Sequence, residues 1–136
     1  MSLFDAFKAG PPQLSAKISL PVALLFMMAA DGHVDDEEIG QLKSVIGDDE
    51  NLIKTAIRYL KAYSYEEFLK QAHALLSPQQ KLCILLNITD SLMSDGAADP
   101  AEQDMLSQTM VAFGMSEDEF RPYFETILIK NNRSIF

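Results

Sequence analysis

The sequence predicts an all-α fold, with about seven helices in two related halves around two central buried helices. Three observations predict it. Apolar residues recur at helical spacing while strict alternation is nearly absent. Helix-start signals recur along the whole chain. The pattern Asp31, Gly32, Asp35, Glu38, Leu42 returns 64 residues later as Asp95, Gly96, Asp99, Glu102, Leu106.

The elements follow in order. Residues 2–9 read as a short amphipathic start, closed by Gly10-Pro11-Pro12. A helix is expected at about 15–30, carrying "LPVALLFMMAA". It is apolar on most sides, and such a helix must be buried. After Asp31-Gly32 the next helix spans about 36–46, with Asp35 as N-cap and Glu38 as its reciprocal partner. A third covers about 49–62. Ser64-Tyr65-Glu66-Glu67 is a capping box that opens a helix at 65–76. In Ser77-Pro78-Gln79-Gln80 the proline takes the first helical position of a helix at 78–94, where its missing N–H costs nothing. That helix carries "LCILLNITDSLM" and is the second one placed at the centre. Asp99-Pro100-Ala101-Glu102 combines both start signals for a helix at 100–113, and the box Ser116 to Glu119 opens one at 117–130. Gly32, Gly47, Gly96 and Gly114 stand where helices should stop. Connections are short and no long linker interrupts them, so residues 1–136 read as one domain. Its halves are about 15–62 and 78–130, joined by helix 65–76.

Composition narrows the function. With 136 residues the chain can build a real core. A net charge of -9 repels phosphate backbones and argues against nucleic-acid binding. It favours divalent cations, basic partner surfaces or plain solubility. The single cysteine, Cys83, permits no intrachain disulfide and fits a reducing compartment. The longest apolar run, Leu20 to Ala30, is about half of what crosses a bilayer, and "MSLFDAFKAG" lacks the basic and apolar regions of a secretory signal. The expectation is a cytoplasmic protein.

The stretch "MMAADGHVDDEEIGQL" resembles the second half of a calcium-binding EF-hand loop. Asp31, Gly32, Val34 and Glu38 fit its positions 5, 6, 8 and 12, with Asp35 at 9. Positions 1 and 3 would be Met27 and Ala29, and Ser91 and Met93 in the second copy, so essential carboxylates are lacking. Calcium needs six to eight oxygens, which excludes an ordinary EF-hand. Two readings then stand. As a tight corner, the glycines close one helix and Asp35 and Asp99 cap the next, with Glu38 and Glu102 completing the boxes. That leaves Asp31 and Asp95 unexplained, because a carboxylate at a helix C-terminus faces the negative end of the macrodipole. As a weak divalent-cation site, the free carbonyls, Asp31 and a spare oxygen of Asp35 would face the ion.

These residues resemble the tellurite-resistance TerB-like family. The resemblance rests on "MSLFDAFKAG", on "AADGHVDDEE" and "MSDGAADPAEQ" after apolar helices, and on "AFGMSEDEF", over about residues 1–120. It implies an all-helical fold with internal pseudo-symmetry. It also implies a cytoplasmic module of bacterial stress or tellurite-resistance systems that binds metal through acidic corner residues and works beside a membrane partner. The residues carried over are Asp31, Asp35, Glu38, Asp95, Asp99 and Glu102. The tail "RPYFETILIKNNRSIF" lies beyond the match.

Other candidates carry less. His33 sits between two aspartates, but the second copy has Ala97 there, and a lone loop histidine is more often idle. His73, on helix 65–76, reads as a surface or boundary residue. Cys83, in the most apolar helix, reads as an inert core thiol. Met27, Met28, Met93, Met105, Met110 and Met115 have the spacing of core packing rather than of a soft-metal site. No nucleophile–base set, phosphate loop or zinc-spaced Cys/His set occurs. The functional expectation is a non-enzymatic binding module that takes a divalent cation (Ca, Mg, Mn or Zn) at its two corners and works with a protein partner. The rival is an interaction scaffold whose acidic corners only cap helices.

Overall fold

A side-chain oxygen opens most of the helices. In the computed structural model, which describes residues 11–29, 34–93 and 100–136, Ser15 caps α1 (Ala16–Met28) and Asp35 caps α2 (Asp36–Ile46). Asp49 caps α3 (Glu50–Ala62) and Ser64 caps α4 (Tyr65–Leu75). Ser77 precedes α5 (Pro78–Met93), and its hydroxyl and backbone exchange hydrogen bonds with Gln80 at 3.2 and 2.9 Å. This box forms as reciprocally as that of Ser64 and Glu67. α6 is Pro100–Ala112; Ser116 caps α7 (Glu117–Asn131), and a 3-10 turn (Arg133–Ile135) follows. The box at Ser116 is only half formed. Its hydroxyl accepts from the Glu119 amide, but the Glu119 carboxylate takes the Ser116 hydroxyl rather than the Ser116 backbone N–H.

The ends are equally local. Gly114, at φ 71°, lets the Met115 N–H reach Met110 O and its own N–H reach Val111 O, at 2.9 and 3.1 Å. That pair of bonds is the Schellman ending, and it satisfies carbonyls that the helix leaves open. Gly47, at φ 89°, closes α2.

The all-α expectation holds: the described residues contain seven α-helices and no strand. α1 lies at the centre and packs against α2, α3, α4 and α5. Residues 21–25 of α1 are all buried, as a helix apolar all round requires. α5 is its inner neighbour and carries α6 and α7 on its other sides. α4 touches both α1 and α6 and so bridges the two groups. The core runs through Leu24, Leu25, Leu42, Tyr59, Phe68, Leu85 and Ile88. Each large side chain fully buried there contributes about 1.5–3 kcal/mol. An aromatic cluster anchors one side, with Phe26 edge-on to Tyr65 at 5.1 Å and Tyr59 stacked on Tyr63 at 4.6 Å.

One expectation needs correction. Cys83 is exposed, not a core residue. α5 buries Ile84, Leu85, Ile88, Thr89 and Leu92. Cys83 precedes that stripe and falls on the outward side, where the Asn87 amide donates to the Cys83 carbonyl at 2.9 Å. The helix is apolar in composition, but its phase leaves one face open. Of the methionines, Met27 is buried, while Met28, Met105, Met110 and Met115 are half-buried against the core. Met93 is also half-buried, but it is not among the residues packed there.

Candidate functional site: a cleft lined by residues next to both acidic corners

Three of the six predicted site residues fall among those described. Asp35 sits in extended backbone just before α2, and its Oδ1 accepts the Glu38 amide at 2.8 Å. Glu38 reaches back to accept the Asp35 N–H at 3.4 Å. The predicted capping box is therefore formed. Asp36 and Glu37 complete an acidic first turn, which the positive end of the helix dipole stabilises. Glu102 takes the matching place in the first turn of α6. Asp31, Asp95 and Asp99, together with Gly32, His33 and Gly96, lie outside the described residues. Among the described residues no three His, Cys, Asp or Glu side chains are grouped to hold a metal ion.

The residues bordering the two corners nevertheless meet. Ala29 and Val34 flank the first corner, and Ala101 follows the second by two positions. All three line one cleft of about 870 Å³. α1 supplies Phe26, α2 supplies Ile39, α3 supplies Ile57, Leu60 and Lys61, α4 supplies Tyr65, and α6 supplies Asp104 and Met105. The walls are mostly apolar, and the charged side chains stand at the exposed rim. Asp104 is steadied by an amide hydrogen bond from Gln108 at 3.2 Å.

Tyr65 is the polar group set deepest in this wall. Its hydroxyl hydrogen-bonds Thr109, whose own hydroxyl lies 2.7 Å from the Met105 carbonyl. This ties α4 to α6 through the fully buried Thr109. Burial lifts the Tyr65 hydroxyl to about 12, against a downward pull from the Thr109 contact, so it remains a neutral hydrogen-bonding group at physiological pH. Tyr59, behind it, donates to Gln71 at 2.7 Å and is also lifted to about 12, first by burial and then by Tyr63 and Glu67. Neither tyrosine was singled out from the sequence. Their spacing with Tyr63 and Phe68 signals an aromatic core cluster, but nothing local says which edge lines a cleft.

A second polar cluster joins α5 to α7. Asp90 accepts from Asn131 at 2.8 Å and from Lys130 at 3.0 Å. The Asn131 amide, and after it the Lys130 ammonium, hold the carboxyl below its usual range against the opposing effect of desolvation. His73 is exposed, as expected, and Lys81 lies 3.0 Å from its Nδ1. No helix among the described residues is long and apolar enough to cross a membrane.

Set against known proteins, residues 17–123 match the model of a family described as tellurite resistance protein TerB. The match takes in α1 to α6 and the start of α7, and leaves out the opening "MSLFDAFKAG" on which part of the resemblance rested. No curated protein and no solved structure matches the chain.

Proposed function

The chain belongs to the TerB family of tellurite resistance proteins, and from that premise we propose that it is a non-enzymatic acidic binding module that takes up a divalent cation at its two Asp-Gly corners. One observation carries this reading: Ala29 and Val34, which flank the first acidic corner, and Ala101, just after the second, line the same cleft. The proposal sets carboxylates of both corners around that one space, because hard cations are held by several oxygens at once. Asp31 and Asp95 are the charged ligands that no helix cap accounts for, and Asp35 has a second oxygen beyond its cap. The module works in the cytoplasm within a stress-response assembly. It reaches the inner membrane surface through a protein partner.

A second reading has its own support. The Asp35–Glu38 box is complete, so those two carboxylates already have structural roles. On that reading the acidic corners only shape an interaction scaffold. Thermal melts with and without Ca²⁺, Mg²⁺, Mn²⁺ and Zn²⁺ separate the two, on wild type and on Asp31→Asn with Asp95→Asn. A ligand at 100 Kd stabilises by about 2.7 kcal/mol. The cation reading expects a rise in Tm that the double variant loses while its apo Tm stays level or climbs slightly. No shift in wild type at millimolar cation sinks the cation and leaves the scaffold. An equal shift in both proteins places the cation elsewhere.

A further inference from the structure

We propose that the cleft is a binding pocket for a neutral, largely apolar small molecule that carries a hydrogen-bond donor. The proposal goes beyond the reading of the chain as a cation-binding module, and it does not need a cation at the corners. Three features of the cleft point to this class of ligand. The first is size and enclosure. The cleft holds about 870 Å³ and takes its walls from α1, α2, α3, α4 and α6. Small-molecule pockets hold roughly 300–1,000 Å³ and are lined mainly by apolar and aromatic side chains. Phe26, Ile39, Ile57, Leu60 and Met105 supply such a lining, and Phe26 is set edge-on to Tyr65 at 5.1 Å. A flat aromatic body finds apolar contact on several sides there.

The second feature is charge. Among the described residues that line the cleft only Lys61 and Asp104 are charged, one of each sign, and both are exposed. Neither an anion nor a cation gains net attraction from such a rim, and either loses hydration on entering. An uncharged molecule loses least. The third feature is the direction of the Tyr65 hydrogen bond. The Thr109 hydroxyl has a single hydrogen, and it goes to the Met105 carbonyl at 2.7 Å. Thr109 therefore accepts from Tyr65, which spends the hydrogen of the tyrosine as well. What Tyr65 has left for a ligand is an acceptor oxygen, and the group that complements it is an N–H or O–H.

The test uses the full chain and N-phenyl-1-naphthylamine, a neutral aromatic amine with one N–H whose fluorescence rises in apolar surroundings. Titrations run in EDTA, so that cation occupancy plays no part. Wild type should bind one amine saturably. The sulfonate of the same ring system, 1-anilinonaphthalene-8-sulfonate, should bind about tenfold more weakly, because its charge loses water with no net attraction in return. Tyr65→Phe should weaken the amine by about three- to tenfold and leave its N-methyl derivative, which has no donor, within about twofold. Met105→Trp fills the cleft and should cost about tenfold. Val111→Trp adds the same ring in the groove between α4 and α6, where Val111 is 81% exposed, and should leave affinity within about twofold. Should Met105→Trp fail to fold, Ala101→Trp carries the test, because Ala101 lines the cleft from an exposed position at the start of α6.

No saturable binding of the amine overturns the proposal, and so do equal losses from Met105→Trp and Val111→Trp. Sulfonate binding as tight as that of the amine overturns the neutral ligand. An unchanged amine affinity in Tyr65→Phe, or an equal loss for its N-methyl derivative, overturns the donor. A wild-type dimer that Met105→Trp dissociates would also overturn the pocket, by showing that a second copy covers the cleft. If the amine does not bind while the cation-dependent Tm shift persists, the pocket falls and the cation reading stands.

Discussion

Asp35 is where cap and ligand can be separated by magnitude. Its Oδ1 holds the Glu38 amide at 2.8 Å, and the return bond from the Asp35 N–H to Glu38 is the longer one, at 3.4 Å. Alanine removes the acceptor and leaves an N-terminal amide of α2 without its cap. The cost of such a change is about 1 kcal/mol, within a range of roughly 0.5–2. In a chain of this size about 1 kcal/mol moves Tm by roughly 4 °C. Serine keeps an acceptor at the same place and removes only the charge. Three carboxylates remain in the first turn to meet the helix dipole, so Asp35→Ser should fall within about 1–2 °C of wild type. Saturating cation acts on a larger scale, about 2.7 kcal/mol at 100 Kd. That is roughly 10 °C by the same conversion, so the two effects are distinguishable in one experiment. The assay is a set of melts of wild type, Asp35→Ala and Asp35→Ser, each in EDTA and in millimolar cation. The order in EDTA should be wild type, then serine close behind, then alanine. In cation only wild type should gain its full shift. If serine falls as far as alanine in EDTA, the cap argument is wrong and the charge itself matters. If serine keeps the whole cation shift, Asp35 is not a ligand.

Other expectations follow from the geometry. Gly114→Val should destabilise by about 1–2 kcal/mol and Gly114→Asn by less, because φ is 71° and no atom lies near the added Cβ, so the cost is backbone strain alone; equal Tm values for the two would contradict the left-handed ending. Asp90→Asn should lower stability at neutral pH by less than about 1 kcal/mol, the pair being half-exposed. The folded-state pKa of Asp90 lies below its unfolded value, so its contribution is present above about pH 4 and fades as pH falls through the lower folded value. Urea melts from pH 7 to 2 should show wild type and variant converging at the acid end, and a gap that widens there would reverse the sign. Cys83 should react with a thiol reagent in the native state at a rate that mild denaturant barely changes. A reaction that waits for unfolding would restore the buried thiol.

The sequence by itself determined the elements. Caps, breaks and apolar period act over three or four residues, and each partner is named in the same short stretch. Ser64 with Glu67, Asp35 with Glu38 and Gly114 after α6 formed as those stretches dictate. The burial of α1 was legible for the same reason, since a helix apolar on every side has no face for water. Phase was the first thing to escape. Cys83 and Ile84 are adjacent in one apolar run, yet only the packing of α5 against α1, α6 and α7 decides which of them faces water. Longer range escaped altogether. Asp90 meets Asn131 from 41 residues away, and Tyr65 meets Thr109 from 44. The cleft takes its walls from five helices, so no window of the sequence contains it. Acidic corners are written locally because a cap needs only its own first turn. That Ala29, Val34 and Ala101, which border those corners, line one cleft is a property of tertiary packing, because it depends on how α1, α2, α3, α4 and α6 set their side chains around it.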